Sequence, residues 1–321
     1  MTKEVCIVPT FGRNELLFCC LKRIRAVEPN MEIHVFPDRG TFYAPLVQQI
    51  TKQFEATVHL VPNNSWYGNT ANTMNAYLWA FNAGYDRVFY VESDVIVHND
   101  FFSWHRDIQE DCPDIFCSMA WIFNRVAPIT NDVLFQPWFY SIGVCFSREK
   151  LALVAKHATP KYYEDMPGYI EKRFKASSLN IPSAIAHVEQ DGLIQRILDE
   201  DRSQSVSPGI AKCSHIGFTR SYGSGDTVGD YNYFLGGEHL TFEQRVANVE
   251  SFIADPYARA SIFGRALVER EIGHELPPRL RKYLLRVGPY ECEYESELKP
   301  EQFPKRLRSV PRTPEMQITL I

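Results

Sequence analysis

Between residues 5 and 98, short apolar runs alternate with segments of helical period, and this alternation restricts the fold more than any other feature of the chain. Val5–Val8 is an apolar run stopped by Pro9, the pattern of a buried strand. From Asn14, a helix-capping residue type, the apolar positions Leu16, Leu17, Cys20, Leu21, Ile24 and Val27 fall on one face of a helix. Ile33–Phe36 and Thr57–Val61 are further strand-like runs, with a helical segment at Ala44–Phe54 between them. A third helix is expected over Thr70–Ala83, stopped by Gly84, and a fourth strand over Val88–Val91. Strands separated by helices are parallel, because a parallel pair needs a crossover, and such sheets are covered on both faces. Ligands of these sheets bind beyond the carboxyl ends of the strands. Thr10–Arg13, Asp38–Gly40, Asn63–Asn69 and Glu92–Asp94 therefore share one rim.

The second half is less regular. Asn99–Asp111 and Glu189–Leu198 have helical character, while Ile115–Ala120, Trp138–Phe146 and Ala211–Cys213 are strand-like. A glycine- and tyrosine-rich stretch at 217–237 has the composition of a loop able to close over a ligand. Thr241 and Gln244 form a capping box opening a helix through Ala254. From about Pro277 the chain is proline-rich with charge in blocks, the pattern of an appendage.

The net charge of -5 disfavours a general polyanion binder, which must neutralise many phosphates at once. None of the eight cysteines forms a C-x-x-C pair, so a thiolate zinc site is not expected and buried free thiols are. No signal-peptide layout and no apolar run of spanning length is present, so the expectation is a cytoplasmic protein without a transmembrane segment.

The run YVESDVIV places Glu92 and Asp94 two positions apart where an apolar strand stops, so both can face one rim site. Hard carboxylate oxygens there suit Mn²⁺ or Mg²⁺ bridging a diphosphate. A polar strand end closing a turn is the plainer alternative.

Two segments, VPTFGRNELLFCCLKRI and NNSWYGNTANTMNAYLWAFNAGYDRVFYVESDV, resemble the donor-binding half of GT-A fold glycosyltransferases of the family 2 type. The resemblance is good over residues 5–98, patchy to about 220 and absent beyond. It implies an α/β GT-A fold, a mostly parallel central sheet flanked by helices, with a mainly helical C-terminal extension. It implies that Pro9, Thr10 and Arg13 border a nucleotide, that Asp38 accepts a hydrogen bond from a uracil-like edge, and that Asn72 matches the family's asparagine. Asp38 also fits a plain Pro-Asp-Arg-Gly turn, and Arg13 a solvated surface arginine. Asp94 would bind the metal. Glu92, with Ser93 beside it, would support the donor, and it departs from the family's Asp-x-Asp signature by one methylene.

The segment from His187 to Arg196 resembles the family's Glu-Asp-x-x-Leu-x-x-Arg motif, which implies Asp191 as catalytic base. Glu189 competes, because Gln190 separates the two acids here, and either acid could simply cap a helix. His215, before the glycine-rich stretch, would complete the metal site by the same resemblance. Taken alone, a single histidine is more often structural. Trp66, Trp121, Trp138 and Phe139 are candidates for an acceptor platform, most of them for the core as well.

The expected activity is metal-dependent transfer of a sugar from a nucleotide-diphosphate sugar, UDP favoured, to an acceptor hydroxyl with inversion. The acceptor is open between a hydroxylated nucleic-acid base, a glycan and a small molecule. A nucleotidyltransferase on the same sheet is one alternative, disfavoured by the single glycine of PTFGRN, and a non-catalytic nucleotide-sugar or carbohydrate binding module is another. Residues 1–240 are expected to form the GT-A domain, with a nucleotide-binding half at about 1–98 and an acceptor half at about 99–240. Residues 241–321 would be a helical extension and tail.

Overall fold

The computed structural model describes residues 2–38, 44–60, 68–122, 129–174, 189–217, 240–263 and 265–276, and the backbone of three strands between 282 and 320. The expected alternation is present. It runs β1 Glu4–Thr10, α1 Asn14–Val27, β2 Ile33–Pro37, α2 Ala44–Gln53, β3 Thr57–Val58, α3 Asn69–Asn82 and β4 Arg87–Tyr90. After it come β5 Val95–Val97, α4 Phe101–Asp111, β6 Ser118–Met119, β7 Val133–Gln136, β8 Val144–Ser147 and α5 Arg148–Ala155. Then follow α6 Pro160–Glu164, α7 Met166–Arg173, α8 Gln190–Asp201, β9 Ser205–Pro208 and β10 Cys213–His215. Helices α9 Phe242–Ala254, α10 Pro256–Phe263 and α11 Arg265–Ile272 precede strands β11 Lys282–Val287, β12 Tyr290–Glu295 and β13 Ile318–Leu320.

Eight strands form one sheet in the order β3-β2-β1-β4-β8-β6-β9-β7. The β3-β2-β1-β4 block is parallel, and β8 enters antiparallel to β4. Period-two alternation divides the strand side chains between two cores. Val5, Ile7, Val88 and Tyr90 face the core shared with α3, α5 and α8. Cys6, Val8, Phe89 and Val91 face the opposite core, with Leu17, Cys20, Leu21 and Ile24 of α1. Each such side chain, wholly removed from water, stabilises the fold by about 1.5–3 kcal/mol relative to exposure. Helix α1 is buried on a second face too, where Leu16 and Cys19 meet Val246, Val249 and Phe252 of α9. The seven cysteines among the described residues are free, and six are buried. Among the described residues no helix is long and apolar enough to cross a membrane.

Several boundaries differ from expectation for local reasons. Strand β1 runs on through Pro9 to Thr10. The Pro9 carbonyl points toward the β4 side, where it accepts from the Ser93 N–H at 3.2 Å, so the missing proline N–H also lies on that side. The ladder to β4 has already ended there, at Ile7↔Tyr90, and no ladder bond to β2 is lost. Asn14 is the first helical residue of α1 and Arg13 occupies the cap position. Residues 138–143 are not a strand. Their apolar character reflects a partly buried loop in which one side chain meets backbone groups at its start: Gln195 accepts from the Phe139 N–H and donates to the Pro137 carbonyl, each at 2.8 Å. The strand nearby is instead β7, a half-buried edge strand without a clean alternation. The capping box of α9 forms as expected. Beyond the C-terminal helices, β11 pairs antiparallel with β12 and β13, a small sheet added to the helical extension.

Candidate active site

The carboxyl ends of β1, β2 and β4 open on one rim, and a cleft open to solvent lies over them. Pro9, Thr10, Arg13, Asp38, Asn72, Glu92, Ser93 and Asp94 all line it, with Phe11 and Asn69. The second loop of the rim depends on Gly68, whose φ of +92° suits glycine and turns its N–H onto the Asp38 carboxylate at 3.0 Å. Asn72 donates to the Phe36 carbonyl at 2.7 Å, fixing α3 to the end of β2.

Past β4 the chain makes a short turn through Glu92–Asp94 and resumes as β5. Strand β5 pairs antiparallel with β10, in a register that sets His215 opposite Val95. This pairing places the His215 Nε2 at 3.6 Å from the Asp94 Oδ2. His215 thus ends β10 instead of following it. Glu92, Asp94 and His215 each present a ligand atom, all within 4.8 Å of one another. The Arg13 guanidinium lies 2.7 Å from Asp94, holding a positive charge against that carboxylate. Gly217 closes the cradle, since a β-carbon there would sit 2.5 Å from the Asp94 Oδ2 and 2.9 Å from the His215 Nε2.

The two acids are held in opposite states. Burial pushes the Glu92 carboxyl up to about 8, and the charge of Asp94 adds to this. Burial opposes ionisation of Asp94 as well, but Arg13 and then His215 hold it well below the usual carboxylate range. Burial would lower His215, yet Asp94 and Glu92 raise it. Buried Asp94 Oδ1 has no hydrogen-bond partner among the described residues. An oxygen-rich set with one imidazole, one unsatisfied carboxylate oxygen and a cradle free of a β-carbon fits a hard divalent cation such as Mn²⁺ or Mg²⁺.

Asp191 is the second residue of α8, and the N-terminus of that helix is tied to α3 by the Thr70 hydroxyl, which donates to Gln190 at 2.7 Å. Neither Glu189 nor Asp191 caps the helix: the cap residue Glu189 makes no side-chain capping bond. The carboxylate of Asp191 instead accepts from the Ser141 hydroxyl at 3.3 Å, and its buried Oδ1 has no hydrogen-bond partner among the described residues. Burial pushes Asp191 up to about 6, opposed by Ser141. The charge of Asp191 also raises Glu92, after that of Asp94, while Asp191 is not among the residues lining the cleft.

No protein-family model matches the chain, and neither does any curated protein. Solved structures do. The TarS fragment 1–349 of S. aureus is 12% identical, with a TM-score of 0.44 over 84% of this chain and 72% of its own. A cytidylyltransferase from Leptospira borgpetersenii serovar Hardjo-bovis is 11% identical, with a TM-score of 0.40 over 80% of this chain and 97% of its own. Glucosyl-3-phosphoglycerate synthase from Mycobacterium tuberculosis, solved with Mn²⁺, UDP and glucosyl-3-phosphoglycerate, is 16% identical, with a TM-score of 0.35 over 46% of this chain and 57% of its own. The parallel β3-β2-β1-β4 block and the antiparallel strand that follows give the mixed sheet flanked by helices that the sequence leads one to expect. At these identities and TM-scores the likenesses say nothing of the reaction.

Within this α/β frame, each residue expected at the donor side lies on the cleft, and His215 joins Asp94. The glycine-rich stretch (218–237), Trp66 and His187 lie outside the described residues. Trp121 and Phe139 are core residues at 7% and 4% exposure, whereas Trp138 is exposed at 39%. The sequence did not single out Tyr90, which donates to Glu92 at 3.0 Å and meets the Thr73 hydroxyl at 3.2 Å. Ser141, Thr70 and Gly217 were also missed. Thr70 and Ser141 carry no local signal, because each acts on a residue distant in sequence, whereas Tyr90 lies two positions from Glu92 and Gly217 two positions from His215.

Proposed function

We propose that the chain is a metal-dependent glycosyltransferase that moves a sugar from a nucleotide-diphosphate sugar, UDP favoured, to an acceptor hydroxyl with inversion. The convergence of Glu92, Asp94 and His215, with Glu92 and Asp94 also lining the rim cleft, is the observation that carries this reading. Thr10, Asp38 and the loop from Pro9 to Arg13 hold the nucleoside, with Asn72 keeping the rim together. Asp94 and His215 would hold Mn²⁺ or Mg²⁺, with Glu92 and Ser93 supporting the donor. When bound, the ion supplies positive charge against the diphosphate, where negative charge grows as the sugar leaves. Arg13, beside Asp94, adds a fixed positive charge at the same point.

Asp191 receives the acceptor proton. The acceptor oxygen then forms its bond to the anomeric carbon from the face opposite the diphosphate. The carbon–oxygen bond to the diphosphate breaks, and its electron pair leaves with the diphosphate. A hydroxyl is a weak nucleophile until its proton is taken. A carboxyl poised near 6 is ionised at neutral pH, yet basic enough to accept that proton. The acceptor is a hydroxylated nucleic-acid base, a glycan or a small molecule.

The test is incubation of the purified protein with Mn²⁺, a panel of nucleotide sugars and candidate acceptors, followed by mass measurement. A hexose-sized mass gain, and slow donor hydrolysis without acceptor, are expected. Activity indifferent to both EDTA and Asp94→Ala would remove the metal role. A product retaining the donor's anomeric configuration would remove the base role of Asp191. Pyrophosphate release from a nucleoside triphosphate would replace sugar transfer with nucleotidyl transfer.

A further inference from the structure

The proposed reaction gives no part to a chain of buried hydroxyls that ends on Glu92. Tyr90, the last residue of β4, is fully buried in the core shared with α3, α5 and α8, its ring centroid 5.2 Å from that of Tyr77. The Tyr90 hydroxyl donates to the Glu92 Oε1 at 3.0 Å and meets the hydroxyl of Thr73, in α3, at 3.2 Å. A phenol has a single hydrogen to give. Because that hydrogen goes to Glu92, Thr73 is the donor to Tyr90, and the chain runs in one direction, from Thr73 through Tyr90 to Glu92. It ends on a side chain whose ligand atom lies within 4.8 Å of those of Asp94 and His215. Thr73 is fully buried as well, and its neighbour Asn72 donates to the Phe36 carbonyl at 2.7 Å. Consecutive residues of α3 thus hold two parts of the rim, the end of β2 and the turn after β4.

We infer that Tyr90 is a positioning residue for the metal site, holding the Glu92 carboxylate beside Asp94 and His215, with Thr73 fixing the tyrosine hydroxyl. The inference rests on the reading of Glu92, Asp94 and His215 as the place of a divalent ion. Its physical basis is a difference in stiffness. A glutamate carboxylate ends a flexible side chain whose rotamer freedom is costly to remove, whereas the Tyr90 ring is fixed by close packing in the core. Groups that hydrogen-bond a metal-ligating side chain commonly alter metal affinity by about 10–100-fold. The bond is not a requirement of packing a tyrosine here. The hydroxyl of Tyr77, equally buried against the same ring, has no partner among the described residues.

The test is Mn²⁺ titration followed by electron paramagnetic resonance of the full chain, which reads binding without turnover. Circular dichroism and thermal melts report the fold separately. Tyr90→Phe keeps the ring and removes the hydroxyl, and it is expected to weaken Mn²⁺ binding about tenfold with secondary structure retained. Thr73→Val leaves Tyr90 its bond to Glu92 and should cost less. Glu92→Ala, left with Asp94 and His215, should bind Mn²⁺ weakly, and adding Tyr90→Phe to it should change nothing further, because no carboxylate remains to be held. The same loss from Tyr90→Phe in both backgrounds would make the tyrosine a packing residue and overturn the inference, as would wild-type affinity in a folded Tyr90→Phe. If Tyr90→Phe does not fold, the double variant Thr73→Val/Tyr90→Phe, which leaves neither of these hydroxyls buried without its partner, is read in its place. Loss of Mn²⁺ in Asp94→Ala with none in Tyr90→Phe would leave the metal site standing and this inference fallen. No specific Mn²⁺ uptake by the wild type would remove both.

Discussion

Strands β1 to β4 lie in one parallel block joined by crossover helices, whereas β6 to β9 pair with strands remote in sequence and change direction. The first region delivers its functional residues by a rule. Loops after successive parallel strands must emerge on one rim, and Thr10, Asp38 and the Glu92–Asp94 turn do so. The second region delivers Asp191 and His215 by contacts that no such rule specifies. Asp191 arrives because α8 is tied to α3 and to the partly buried loop at Ser141. His215 arrives because β10 happens to pair with β5. A parallel block presents its rim groups by chain direction, then, while Asp191 and His215, proposed above as base and metal ligand, depend on single tertiary connections. Those connections are where the comparison can be tested.

The largest effect belongs to Asp94, where the two regions meet. Asp94→Ala is expected to lower sugar transfer by more than about 10³-fold and to abolish Mn²⁺ binding, checked by kinetics and metal titration. Asp191→Asn comes next. It should lower kcat by about 10²–10³-fold with the donor KM nearly unchanged, separating the base from the donor side. The same variant should be more stable at pH 7. The folded carboxyl titrates near 6, above its ordinary value of 3.8, so the folded state binds the proton more tightly. Stability from this group is full below about pH 4 and is lost as pH rises through about 6. An amide there should raise the unfolding free energy at pH 7 by about 1–2 kcal/mol, discounted for partial exposure, in denaturant titrations.

Gly217→Ala should weaken Mn²⁺ binding by about tenfold, since the new methyl must displace Asp94 or His215. An unchanged affinity would mean that the β10 end is slack and the cradle is not tight. Ser141→Ala has the smallest expected effect. It removes a hydroxyl donor worth about 1 kcal/mol, so the acid limb of the pH–rate profile should move upward by less than about one unit. No movement would separate Ser141 from the chemistry and leave it a loop contact.

The sequence was least informative where one side chain serves a remote partner. Trp138–Phe146 had the hydrophobicity of a strand, but Gln195 supplies the backbone bonds of residues 137–139 that a strand would otherwise supply. Gln190 looked like a spacer between two acids, and it is the residue that fixes α8 against α3. The apolar stripe of α1 was legible, but its division between the sheet and α9 was not, because a helical face does not say what covers it.

By itself, the sequence determined the alternating block, its rim and the residues that line the cleft there, because period, strand length and crossover geometry are local or follow from chain direction. It also marked Asp94, by its position after an apolar run. Only the tertiary structure decided that His215 meets Asp94 and that Ser141 and not a helix cap holds Asp191. The reason is separation along the chain: strand pairing, buried hydrogen bonds and desolvated charges select partners by three-dimensional fit, and no spacing in the sequence encodes that choice.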